Sequence, residues 1–97
     1  MTELIPAIHP GEILREEFIA PLGLTSGRVA KAIGVPRTRI ERLVAETVDV
    51  TPDTALRLAR YLGTSAEFWL SLQTRYSIET TLPRIETSLA AIEPLKV

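Results

Sequence analysis

Ninety-seven residues with 45% hydrophobic side chains are enough for one core without staples, so a single domain over residues 1–97 is expected. The absence of cysteine excludes a disulfide framework, a zinc–thiolate site and a thiol nucleophile, and no apolar run approaches the roughly 18 residues of a membrane span. The net charge of -1 does not by itself announce a nucleic-acid partner, but it is unevenly spread: residues 25–45 hold Arg28, Lys31, Arg37, Arg39 and Arg42 against Glu41 alone, while the flanking segments are both acidic.

Turn signals cut the chain into short helical segments, and no alternation of apolar and polar residues is long enough for a strand. The start Met1-Thr2-Glu3-Leu4-Ile5-Pro6 lacks the basic-then-apolar layout of a signal peptide, so a cytoplasmic protein is expected. His9-Pro10-Gly11-Glu12 opens a first helix with Ile13, Leu14 and Phe18 on one face, and Pro21-Leu22-Gly23 ends it. Thr25 caps a second helix whose Val29, Ala30 and Ile33 face inward, and Gly34 supplies a left-handed residue at its end. Pro36 starts a third, running to about Ala45 with Ile40, Leu43 and Val44 inward. Thr51-Pro52 starts a fourth, with a stripe of Ala55, Leu58, Ala59 and Leu62 and a stop at Gly63. Thr64-Ser65-Ala66-Glu67 has the spacing of a capping box, and a fifth helix carries Phe68, Trp69, Leu72 and Tyr76. After Ser77 a C-terminal helical tail, residues 77–97, keeps helical spacing through Leu82, Ile85, Leu89 and Ile92. Pro83 is expected near the start of that tail helix and Pro94 near its end. The fold class is all-α.

The second and third helices meet the needs of a helix-turn-helix over residues 25–45: a small Ala30 where helices touch, Gly34 in the turn, and branched apolar residues around both. Advancing about 100° per residue, Ile40, Leu43 and Val44 cluster on one side of the third helix, so Thr38 and Arg42 lie opposite and Arg37 flanks them at the exposed N-terminal end. Arg37, Thr38 and Arg42 are the candidates for base edges, since a guanidinium donates two hydrogen bonds to guanine and a threonine suits a thymine methyl or an acceptor. Arg39, Thr25, Ser26 and Arg28 are placed for phosphates. The plainer alternative for these arginines is a solvated or ion-paired side chain, such as Arg37 with Glu41 or Arg42 with Glu46 at i,i+4.

At these residues the chain resembles the HigA family of antitoxins within the Cro/repressor-like helix-turn-helix superfamily. The segments that carry the resemblance are His9-Pro10-Gly11-Glu12-Ile13-Leu14-Arg15-Glu16-Glu17-Phe18, Ala30-Lys31-Ala32-Ile33-Gly34-Val35-Pro36-Arg37, Asp53-Thr54-Ala55-Leu56-Arg57-Leu58-Ala59-Arg60, and the run from Gly63 through Phe68-Trp69 to Gln73. The resemblance implies a five-helix domain that represses its own operon as a homodimer on a palindromic double-stranded operator. It also implies a partner toxin of the HigB type, an mRNA endonuclease. Two departures stand out: Ser26-Gly27 where relatives have a glutamine and a bulky residue, and an acidic turn, Ala45-Glu46-Thr47-Val48-Asp49, where they often have a basic one.

No enzyme is expected, since His9 has no nucleophile partner in a motif and no glycine-rich phosphate loop is present. His9 with Glu12 is the one pair to weigh as a metal site, and a helix-start histidine is the ordinary explanation, so neither metal nor cofactor is expected. Phe68, Trp69, Leu72 and Tyr76 are read as core or as the seam of a homodimer. Glu12, Glu16 and Glu17 are the candidates for contact with a basic toxin. The acidic turn keeps open a second reading, a protein-interaction module or a stand-alone regulator without a toxin.

Overall fold

The computed structural model describes residues 7–96. The expectations placed on Met1 to Pro6 and on Val97 lie outside the described residues. Among the described residues five helices follow one another: α1 (Pro10–Ile13), continuing as the π-helical Leu14–Ile19, then α2 (Ser26–Ile33), α3 (Arg37–Val44), α4 (Pro52–Leu62) and α5 (Ala66–Ala90). No strand occurs among the described residues.

Four of the α-helical starts are capped by a nearby side chain, and α3, entered through Pro36, is not. The Thr25 hydroxyl accepts from the Arg28 N–H, the Thr51 hydroxyl from Thr54, and His9 accepts from Gly11 through Nδ1; each satisfies an N–H that has no partner within its helix. In the π-helical stretch the Ala20 N–H reaches back to Arg15 O. Five-residue spacing of this kind lines Ile19 up with Leu14, and both pack into the core.

That core is Leu14, Val29, Ala30, Ile33, Ile40, Leu43, Val50, Ala55, Leu58 and Trp69. α2 packs on α3, α4 packs on α5, and α1 reaches α3 and α5. Gly11 is the point of closest approach: a Cβ there would stand 1.8 Å from Leu43 O, so α1 lies directly on the backbone of α3. Buried Gln73 ties the link before α4 to α5, accepting from Val50 N at 2.8 Å and donating to Ser77 Oγ at 3.1 Å.

Three expectations are corrected. The cap of α5 is Ser65, whose hydroxyl accepts from Phe68 N; Thr64 instead accepts from the Trp69 indole N–H at 2.8 Å, and so no Thr64–Glu67 capping box forms. Trp69 is 0% exposed. It belongs wholly to the core, with no surface left for a seam between copies. Finally, Pro83 sits inside α5. It removes the N–H that would bond to Glu79 O and its ring crowds that carbonyl, at a cost of about 3 kcal/mol; the helix nonetheless continues to Ala90, through exposed residues where water can reach the freed carbonyl. The outer half of α5 therefore projects from the body, and the radius of gyration, 16.5 Å, exceeds the ~13 Å of a compact chain of this length.

Candidate nucleic-acid interface

The turn between α2 and α3 is built by Gly34, at φ +74, a left-handed conformation that a side chain would strain. From it α3 emerges with Ile40 and Leu43 buried and Arg37, Thr38 and Arg42 exposed. The periodicity expectation for this helix therefore describes its two faces. The first turn of α2 stands beside the first residue of α3: a Cβ on Gly27 would lie 3.1 Å from Arg37 Cδ. Thr25, Ser26, Arg28 and Arg37 thus share one end of the motif.

The arginines differ in how they are held. Arg37, 72% exposed at its side chain, pairs with Glu41 at 3.3 Å, the i,i+4 pair weighed above. Arg39 is turned toward α4 and donates to Asp53 at 2.6 Å. Arg42 makes no ion pair among the described residues; Glu46 pairs with Arg15 instead. Its carbonyl accepts from the Thr47 N–H and hydroxyl. The Thr25 hydroxyl is committed to its cap on Arg28 N, and the N–H groups of Ser26 and Gly27, in the first turn of α2, have no partner within the helix.

Two supporting groups escaped sequence reasoning. Arg57 on α4 donates to Ile33 O at 2.8 Å and pairs with Asp53 at 3.0 Å, so it closes the end of α2 and fixes the carboxylate that holds Arg39. The Arg39 hydrogen bond, reinforced by Arg57, keeps the Asp53 carboxyl below the usual carboxylate range. The Asp53–Arg57 spacing of four was a visible signal. Arg15 had none: it reaches Val44 O at the end of α3 and pairs with Glu46 at 3.3 Å, partners 29 and 31 residues away.

Glu46 itself has φ 64. It ends α3 in a Schellman turn, with Thr47 N bonded to Arg42 O and Glu46 N to Leu43 O. Its charge is paired with Arg15, whereas Asp49 in the same turn is exposed and makes no ion pair among the described residues.

The remaining candidates are spread over other surfaces. Glu16 and Glu17 are exposed on the first helix and Glu12 is half-buried; Glu16 accepts from Arg15 Nε at 2.8 Å. His9 is 2% exposed and acts as a cap, and no cluster of three metal-ligating side chains occurs among the described residues. Phe68 keeps 38% exposure. Leu72 packs against the core and Tyr76 against the His9 ring, edge to face at 4.7 Å. The larger apolar surface lies beyond them, where Ile78, Leu82, Ile85 and Leu89 are 40–59% exposed.

A helix-turn-helix family model matches residues 14–69. Virulence-associated protein I of Dichelobacter nodosus is 52% identical over 75 residues, 77% of this chain and 69% of that protein. Antitoxin HigA-1 of Vibrio cholerae is 37% identical over 90 residues, 93% of this chain and 85% of its own length. Among solved structures, the Pseudomonas aeruginosa antitoxin HigA with the higBA promoter superposes with a TM-score of 0.88 at 38% identity, covering 93% of this chain and 99% of that one.

Proposed function

The chain belongs to the HigA family of helix-turn-helix antitoxins, and from that premise we propose that it is a regulator, not an enzyme, that represses its own operon as a cytoplasmic homodimer and holds a toxin of the HigB type on a separate surface. The observation that carries the reading is the outward face of α3, where Arg37, Thr38 and Arg42 stand exposed opposite buried Ile40 and Leu43. Arg37 and Arg42 reach guanine edges in the major groove, Thr38 a neighbouring base, and the N–H groups at the start of α2 receive a phosphate with Arg28 beside them. Arg39 follows the backbone, exchanging Asp53 for phosphate.

One such motif makes too few base contacts for specific binding, and a twofold copy doubles them. The seam is the projecting half of α5, where Ile78, Leu82, Ile85 and Leu89 recur at spacings of four, three and four, the repeat of a helix paired with another helix. The toxin surface is the acidic side of the first helix, Glu12, Glu16 and Glu17, whose charge speeds encounter with a basic ribonuclease.

Fluorescence anisotropy over a salt series, with DNA from upstream of the chain's own coding sequence, tests the first part. Specific binding that Arg37→Ala and Arg42→Ala leave unchanged in affinity and sequence preference would refute it. Sedimentation equilibrium of Leu82→Glu, Ile85→Glu tests the second part, with a monomer expected where the parent is a dimer. Co-purification of the toxin with the Arg37→Ala, Arg42→Ala variant tests the third; failure would put the toxin on the recognition helix.

A further inference from the structure

Gly27 is a costly residue for the first turn of a short helix, since glycine loses more freedom on helix formation than any residue with a side chain. Its backbone does not require glycine: the positive-φ glycines are Gly23, Gly34 and Gly63. Nor does it make room for the backbone of another helix. The atoms within 4 Å of a Cβ built at Gly27 are Arg37 Cδ, at 3.1 Å, and Arg37 Cγ, at 3.7 Å. The space that the missing side chain leaves is filled by the stem of the first residue of α3.

We propose that Gly27 is a specificity-determining position that acts through Arg37: by lacking a side chain it lets the Arg37 stem lie against α2, and so sets which base edge the guanidinium meets. The proposal rests on the reading of α3 as the DNA-reading helix. The stem is held between two points, Gly27 on one side and Glu41, 3.3 Å from Nε, on the other, so the direction of a mostly exposed guanidinium is set at its root. A guanidinium recognises guanine through two parallel hydrogen bonds in one plane, a geometry that tolerates little displacement. A methyl group at position 27 makes the stem give by a few tenths of an ångström. A branched side chain there lifts it off α2 and swings the guanidinium along the groove. The departure at Ser26-Gly27 is then a change in how the operator is read.

The test uses the full chain and a pool of double-stranded DNA with randomised half-sites, from which bound sequences are selected and the preference at each base pair is measured. Gly27→Ala, Gly27→Leu, Arg37→Ala and the Gly27→Leu, Arg37→Ala double variant are compared, with thermal melts run alongside. Leucine is a good helix former, so the melting temperature should hold or rise. Preference at one base pair in each half-site should fall by about fivefold or more in Gly27→Leu and by less in Gly27→Ala, with the other positions unchanged. In the Arg37→Ala background Gly27→Leu should leave the profile as it is.

If Gly27→Leu keeps the parent profile while Arg37→Ala flattens one position, the coupling is overturned and the DNA reading of Arg37 stands. The coupling is equally overturned if the effect of Gly27→Leu persists without Arg37. If Arg37→Ala itself changes nothing, the reading beneath the proposal falls and the proposal with it.

Discussion

Replacing Gly11 by alanine should be among the most damaging single-methyl changes in the chain. The added Cβ would stand 1.8 Å from Leu43 O and 2.8 Å from Leu43 C, and these are backbone atoms inside α3 that no rotamer change can clear. The first helix must retreat by more than about 1 Å, and a gap of that size forfeits about a quarter to a half of the dispersion energy of each atom pair it separates. The side chains affected include Leu14 and Pro10, both buried. Overpacking of this kind costs about 1–3 kcal/mol and occasionally more, and the rigid partner puts the expected loss near 3 kcal/mol. At about 4–8 °C per kcal/mol for a chain of this size, the melting temperature should fall by roughly 12–24 °C. Gly23→Ala is the control: its φ is +65 with nothing within 4 Å of the added atom, so it bears only the left-handed strain of about 1 kcal/mol. Circular-dichroism melts of the three proteins decide the matter, and a Gly11→Ala variant melting no lower than Gly23→Ala would refute the reasoning.

Arg42→Ala should cost about 1–3 kcal/mol on a matched palindromic site and relax a guanine preference while leaving the melting temperature in place; anisotropy and a melt check both. Arg39→Ala should weaken all DNA sequences alike and lower the salt slope by about 0.9 for each phosphate it no longer neutralises, whereas Asp53→Asn, which releases Arg39 from a 2.6 Å partner, should tighten them alike. The Asp53 carboxyl is held below its ordinary value by Arg39, so it binds its proton more readily in the unfolded chain. Its contribution to stability is therefore complete above the ordinary carboxylate range, about pH 4, and is lost as the pH falls through the lowered folded value. The difference in urea midpoint between the parent and Asp53→Asn should shrink there. Glu46→Gly should relieve about 1 kcal/mol of left-handed backbone strain, offset in part by the loss of the Arg15 pair, with a net gain read from urea midpoints.

What could be read in the sequence is what a few neighbouring residues decide among themselves. Thr25 and Thr51 announce their helices because a hydroxyl three residues ahead of an N–H is a local arrangement, and Gly34 and Gly63 end theirs by a backbone conformation that needs no partner. The faces of α3 followed from periodicity alone. Adjacent hydroxyls defeated that logic at Thr64 and Ser65, where either can cap and the buried Trp69 indole decides between them by claiming Thr64. Pro83 defeated it because the rule against proline inside a helix is a penalty, about 3 kcal/mol from the missing N–H and the crowding of the i−4 carbonyl, and not a prohibition. The ties that orient the site were illegible for a different reason. Arg15 with Val44 and Glu46, Arg57 with Ile33, and Arg39 with Asp53 join residues 14–31 positions apart. An arginine in a sequence does not say which distant carbonyl it will find. The charge that suits Arg39 to a phosphate is paired with Asp53 in the free chain.

The projecting arm of α5 bears on how the molecule moves through solution. Over the described residues it measures 51 × 33 × 22 Å, so its drag exceeds that of a sphere of equal mass. A single copy should leave a size-exclusion column early, at the volume of a heavier globular standard. Were two copies to join along their arms, that length would be hidden against its partner, and pairing should raise the apparent size by less than the doubling of mass suggests. Elution volume compresses the distance between the two states from both ends, and a mass obtained from scattered light separates them cleanly.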